Sequence, residues 1–198
     1  MSRLTIIPAA IIWLLILAVT GGLLYYNGRS PICPCGTVQL IQWTRVSGQD
    51  SQQIFDVYSF THVLHGLLFY FLIWLVGRGR VPFLVGILLA AAMEGGWELF
   101  ENSAYIINKY QSGIATDYKG DSIINSLGDV VTASFGFFLA SLIPAWLSVV
   151  VFIVTEAVLA YTIRDNLILN VITLTYPIES ISNWQDQGQP PGTSNRPR

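Results

Sequence analysis

The chain has 198 residues, of which 53% are hydrophobic and 11% charged, with a net charge of −2. Soluble domains carry about 25% charged residues, so a mean hydropathy of +0.54 marks a chain built for lipid. The length suits one membrane domain without a second folded unit; the slightly acidic balance and lack of basic runs exclude nucleic acid as a partner.

Window hydropathy predicts an all-α bundle of about five transmembrane helices. The first span covers about residues 4–24 and ends on Tyr25-Tyr26, an interfacial aromatic pair. It is too long for the apolar region of a signal peptide and lacks a small-x-small cleavage site after it, so it is expected to be a retained anchor. The others are expected at about residues 60–76, 81–100, 122–143 and 145–163. Residues 1–182 form the single helical domain in this reading. Residues 166–176 are semi-apolar, too short and polar to span, and suited to lying along the interface or re-entering. The tail, residues 183–198, is expected to be disordered.

Short connections alternate with long ones. Gly77-Arg78-Gly79-Arg80 and Pro144 make tight turns, whereas residues 27–59 and 102–121 form long polar, aromatic connections. The basic turn and Arg3 assign the short-loop side to the cytoplasm, with the N-terminus inside and the C-terminus in the periplasm. Arg29, Arg45, Lys109 and Lys119 sit in the long loops and weaken that assignment. No internal sequence repeat of the kind expected of inverted-repeat transporters is present.

Counting spans places His62, His65, Glu94, Glu98, Glu101, Asp121, Asp129, Glu156, Arg164 and Asp165 toward the long-loop end. Ionisable groups at membrane depth are costly and face a cavity, a partner or an ion. His62 and His65 are spaced i, i+3; Glu94, Glu98 and Glu101 share one helix face, as do Asp121, Asn125 and Asp129. At 1.5 Å per residue, Glu94 lies roughly 10 Å inward of Glu101, and Asp129 and Glu156 roughly 12 Å inward of Asp121 and Arg164. Glu94, Asp129 and Glu156 are therefore expected to floor one acidic cavity, which demands protons, counter-cations or water.

Imidazoles and carboxylates suit zinc, iron or manganese, so His62, His65, Glu94, Glu98, Asp121 and Asp129 are the candidate metal ligands. The bland alternative has the histidines bonding the carboxylates simply to lock helices together. Glu101 and Glu156 are candidate general bases, and Asn102, Asn125, Arg164, Asp165 and Asn166 candidate ligand-binding groups. Asp121 also reads as a helix N-cap, and Arg164 as an internal partner for Glu156. Cys33-Pro34-Cys35 is not the redox Cys-x-x-Cys spacing. A strained disulfide, soft-metal capture and two structural thiols are all open, with a structural role favoured.

Five motifs occur together: Cys33-x-Cys35-Gly36; Tyr58-Ser59-Phe60-Thr61-His62 with His65-Gly66; Glu94-x-x-Trp97-Glu98-x-x-Glu101-Asn102; Gly120-Asp121-Ser122-Ile123; and Ile163-Arg164-Asp165-Asn166-Leu167-x-Leu169-Asn170. With them the chain resembles, from about Cys33 to Trp184, a bacterial inner-membrane family known as domain of unknown function number 2585. The resemblance implies a multi-pass fold and that location, but no activity. Gln53 stands where the family pattern has a histidine, and Val57 where it has a proline. A more distant similarity is to VanZ-like membrane proteins.

Two functions are expected to compete. One is a protein of the inner membrane with a polar cavity open to the outer face, binding a divalent metal or a polar lipid-like ligand and acting as a hydrolase. The alternative is a non-enzymatic accessory or assembly subunit of a larger membrane complex, with membrane lipids and other membrane-protein subunits as its partners. Proton or cation passage is disfavoured because the sequence inward of Glu94, Asp129 and Glu156 is nearly all apolar.

Overall fold

The structure is a computed structural model and describes residues 5–45, 49–112 and 118–187. Five helices are long and apolar enough to cross a membrane: α1 (Ile6–Tyr26), α2 (Ser59–Val76), α3 (Phe83–Glu101), α5 (Ile123–Leu142) and α6 (Ala145–Ile163). They match the expected spans within two residues at each end. Three short helices lie outside them: α4 (Ala104–Ser112), α7 (Leu167–Thr175) and α8 (Glu179–Asp186). The strands β1 (Ile41–Gln42) and β2 (Phe55–Asp56) pair in parallel, a small addition to the all-helical expectation. Of the expected tail, residues 183–186 form the last turn of α8, and residues 188–198 lie outside the described residues.

Helix α5 is the hub, packed on α1, α2 and α3. Glycines let it come so close to α2. A Cβ at Gly66 would overlap the Ala133 carbonyl, and one at Gly136 would overlap the Val63 carbonyl. Small residues at such crossings are how helices associate where no hydrophobic driving force operates. A third close approach, of Gly128 to the Ile54 carbonyl, seats the β2 loop on α5. In contrast, α1 and α6 present long apolar faces outward: Ile6, Leu14, Trp146, Ile153 and Tyr161 are all exposed. Such faces suit lipid, where apolar exposure carries no penalty.

One end of the bundle is closed by polar loops that satisfy the helix termini. The free amides of α5 are taken by the chain after α1, with Ile123 donating to the Ser30 carbonyl (2.8 Å) and Ile124 to that of Pro31 (3.2 Å). Ser122 caps α5 by accepting from the Asn125 amide, so the cap falls on Ser122 and not on Asp121. Asp56 does the same for α2, accepting from the amides of Tyr58 (2.7 Å) and Ser59 (3.3 Å). Unpaired amides and the helix dipole both favour a carboxylate there. Cys33 and Cys35 are joined in a disulfide at this end, which resolves the alternatives left open by their spacing.

Candidate metal centre

Helices α2, α3 and α5 each contribute to one buried cluster. His62 Nδ1 lies 2.5 Å from Glu94 Oε1, and His65 Nδ1 lies 3.0 Å from both oxygens of the same carboxylate. The i, i+3 spacing on α2 thus aims two imidazoles at a single glutamate of α3. His62 Nδ1 is also 3.5 Å from Glu98 Oε1, while its Nε2 lies 3.7 Å from Asp129 Oδ2 on α5. Asp129 Oδ1 accepts from Ser59 Oγ at 2.9 Å. Glu94 and Glu98 are wholly buried, and His62 and Asp129 nearly so.

Among the described residues, two groups of side chains have the spacing to hold a metal ion: His62, His65 and Glu94; and His62, Glu98 and Asp129, the ligand atoms of each group lying within 4.8 Å of one another. They differ in one respect. Glu94 is satisfied by its two histidines, whereas neither oxygen of the buried Glu98 has a hydrogen-bond partner among the described residues. An uncompensated buried carboxylate costs several kcal/mol (order of magnitude), so the Glu98 group is where positive charge is missing.

Above the cluster opens a cavity of about 360 Å³ that reaches His62, His65, Glu101, Asp121, Asp129 and Asp165. Its walls carry aromatic rings (Tyr58, Trp97, Tyr110 and Tyr118) and three cations (Arg29, Arg45 and Lys119). Glu101 accepts from the Tyr110 hydroxyl at 3.4 Å. Asp121 accepts from Tyr118 (2.9 Å) and from Asn102 Nδ2 (2.9 Å), and its own amide donates back to Asn102 Oδ1 (2.7 Å). Asp165 accepts from Tyr58 (3.2 Å) and Gln185 (2.8 Å). Burial pushes the carboxyls of Asp56, Asp121 and Asp165 up to about 6, and raises the phenols of Tyr58, Tyr110 and Tyr118 well above their usual value.

Other candidates lie elsewhere. Asp121 sits with Asn102 and Tyr118, outside both metal-spaced groups. Asn125 reaches the Gln53 carbonyl (2.9 Å) and so ties a loop to α5. Glu156 does not join Glu94 and Asp129 in a common floor. Its two oxygens accept from the amides of Leu167 and Ile168 (3.0 Å each), where they cap α7 beside the N-cap Asn166. Nor does Arg164 bridge to Glu156: it donates to Gln187 Oε1 (2.5 Å) and stacks on Trp184, 5.5 Å from the ring centre. The left-handed residue Arg164 turns the chain sharply after α6, which brings the start of α7 back beneath Glu156.

Arg29, Arg45, Tyr58 and Ser59 join the site with little signal in the sequence, because loop cations and hydroxyls carry no periodic pattern. The Tyr58-Ser59 pair within the quoted motif was the only available hint. Gln53 is buried and structural, with its Oε1 accepting from the Gln39 amide (2.6 Å), so the departure from a family histidine falls on a loop brace.

Fold and site together define a helical-bundle protein with five helices long and apolar enough to cross a membrane and a buried histidine–carboxylate cluster near one end. The chain belongs to the protein family of unknown function DUF2585, which matches residues 24–187. It is 41% identical to a UPF0314 protein of Paracoccus denitrificans, with 91% of this chain and 88% of that protein aligned. A UPF0314 protein of Rhizobium etli is 47% identical over 81% of this chain and 83% of its own length. One from Agrobacterium fabrum is 42% identical, over 83% of each chain. No solved structure matches significantly, and the VanZ-like similarity gains no support from these matches.

Proposed function

We propose that this protein is a membrane metalloprotein whose His62, Glu98 and Asp129 hold a divalent cation at the base of the polar cavity, and that it acts as a metal-dependent hydrolase. The observation that carries the reading is Glu98: wholly buried, between His62 and Asp129, with neither oxygen hydrogen-bonded among the described residues. Glu94 supports the set by engaging His62 Nδ1, which orients the ring and leaves Nε2 toward Asp129. Carboxylate-oriented histidine is the common arrangement behind a metal ligand. Mixed nitrogen and oxygen donors suit zinc, iron or manganese. Such an ion would activate water as a nucleophile near neutral pH. Glu101, on the cavity wall, would be the group to accept a proton from water there, whereas Glu156 is committed to α7.

The cavity end faces the periplasm in this proposal, with the N-terminus cytoplasmic, the C-terminus periplasmic and the protein in the inner membrane. Two features support that orientation. Arg78 and Arg80 lie in the short turn at the opposite end, and the Cys33–Cys35 disulfide lies at the cavity end, where an oxidising compartment would keep it.

Elemental analysis of the detergent-purified protein tests the centre. About one equivalent of a transition metal is expected, with loss in Glu98→Gln and in His62→Ala. A wild-type protein without stoichiometric metal after expression in metal-replete medium sinks the reading.

A further inference from the structure

A second, apolar groove runs between α2 and α3, lined by His65, Phe69, Met93, Gly96, Trp97 and Phe100. Two of these, His65 and Trp97, also line the polar cavity. Groove and cavity therefore meet at one throat. Phe100 (48% exposed) and Met93 (36% exposed) lie on the outer surface of α3, so the groove is open on the side that lipid would cover. Gly96 forms its bed, and a Cβ there would meet nothing within 4 Å. His65 commits Nδ1 to Glu94, which leaves Nε2 as the ring atom available at the throat.

The cavity side is polar, with Arg29, Arg45 and Lys119 set among Asp50, Glu101, Asp121, Asp129 and Asp165. Arg29 gives one nitrogen to the Lys119 carbonyl (2.5 Å), and its buried Nε has no partner among the described residues. An anionic head group would supply that partner. Guanidinium is well shaped for phosphate oxygens.

We infer that the ligand of this site is a bilayer amphiphile with a phosphate-bearing head, which enters sideways between α2 and α3, lays its hydrocarbon chain in the Gly96 groove and places its head in the polar cavity beside Arg29. The inference rests on the metal-centre reading for what happens to the head, but the route in stands on the groove and its continuity with the cavity. Chain contact provides affinity through apolar burial, and Arg29 selects the head. A soluble substrate would have no use for the groove.

Equilibrium binding of lysophosphatidic acid to the detergent-purified full chain tests this, with glycerol 3-phosphate as the head-only probe and metal content measured on the same samples. Gly96→Phe fills the groove; Ala157→Phe, on the exposed face of α6, is the control. Gly96→Phe is expected to weaken lysophosphatidic acid binding by about tenfold or more and to leave glycerol 3-phosphate binding unchanged. Arg29→Gln is expected to weaken both. Wild-type protein that holds metal but binds the amphiphile equally well as Gly96→Phe and as Ala157→Phe overturns the side entry and leaves the metal centre standing. Metal-free protein whose amphiphile binding still falls with Gly96→Phe overturns the metal centre and leaves the side entry standing. Arg29→Gln protein that binds both probes like wild type removes the phosphate head from the proposal.

Discussion

Glu94 and Glu98 sit one helical turn apart on α3, equally buried, yet their surroundings differ in kind. Glu94 is held by two histidines, and losing it leaves both imidazoles with a missing partner. Glu98 makes no hydrogen bond among the described residues and meets only His62, at 3.5 Å, so removing it removes a burden unless a cation is bound. In chelator-treated protein, Glu94→Leu is therefore expected to cost about 3–5 kcal/mol, whereas Glu98→Leu is expected to be neutral or stabilising by about 1–4 kcal/mol. Thermal unfolding in detergent reads both; equal destabilisation by the two would refute the contrast. Asp165 makes a pH prediction outside the spans. Its carboxyl titrates at about 6 when folded against 3.8 ordinarily, so the folded state binds more protons between those values and stability falls as pH rises through that window. One such buried group accounts for at most about 3 kcal/mol. Asp165→Asn should remove its share, and the melting temperature should drop less between pH 4 and 6.5 than in wild type. Asp56 and Asp121, raised in the same direction, keep the remainder of the slope.

The crossing of α2 and α5 decides whether the cluster forms, because His62 and His65 come from one helix and Asp129 from the other. The crossing depends on Gly66 and Gly136, where added Cβ atoms would strike facing backbone carbonyls. Backbone cannot yield as a flexible side chain can. Gly66→Ala and Gly136→Ala are each expected to destabilise by about 1–3 kcal/mol or more and to lower metal occupancy. Gly96→Ala, in open space on α3, is expected to be neutral or slightly stabilising, since alanine favours helix. Melting curves with metal analysis distinguish these outcomes. All five long helices were legible from hydropathy because each needs a full apolar run to cross lipid. The short helices α4, α7 and α8 were not, since none is long and apolar enough to span; α7 in addition begins only where Asn166 and Glu156 accept its first amides.

At the scale of the whole molecule, the polar loops and the cavity occupy one end and the basic turn the other. That asymmetry predicts the labelling pattern of intact spheroplasts. After mild reduction, a membrane-impermeant maleimide should modify the exposed Cys35 without lysis. A single cysteine introduced as Arg80→Cys, with Cys33→Ser and Cys35→Ser, should be labelled only after lysis. The reverse pattern would place the cavity on the cytoplasmic side without disturbing its internal geometry, because the convergence of the helix ends follows from counting spans alone.

Sequence alone carries the five spans and the meeting of His62, His65, Glu94, Glu98 and Asp129 at one end, since helical period and chain parity are local, additive properties. It could not decide which acids share a space. Glu156 has the same depth and charge as Glu94 and Asp129, but the left-handed turn at Arg164 brings α7 under it, and two amides claim its oxygens. Glu98 looks like Glu94 in sequence, and only packing gives one of them hydrogen bonds from two histidines and leaves the other with none among the described residues. Partner choice depends on how helices rotate and approach, and at this site that is set by glycine contacts and loop hydrogen bonds between segments far apart in the chain.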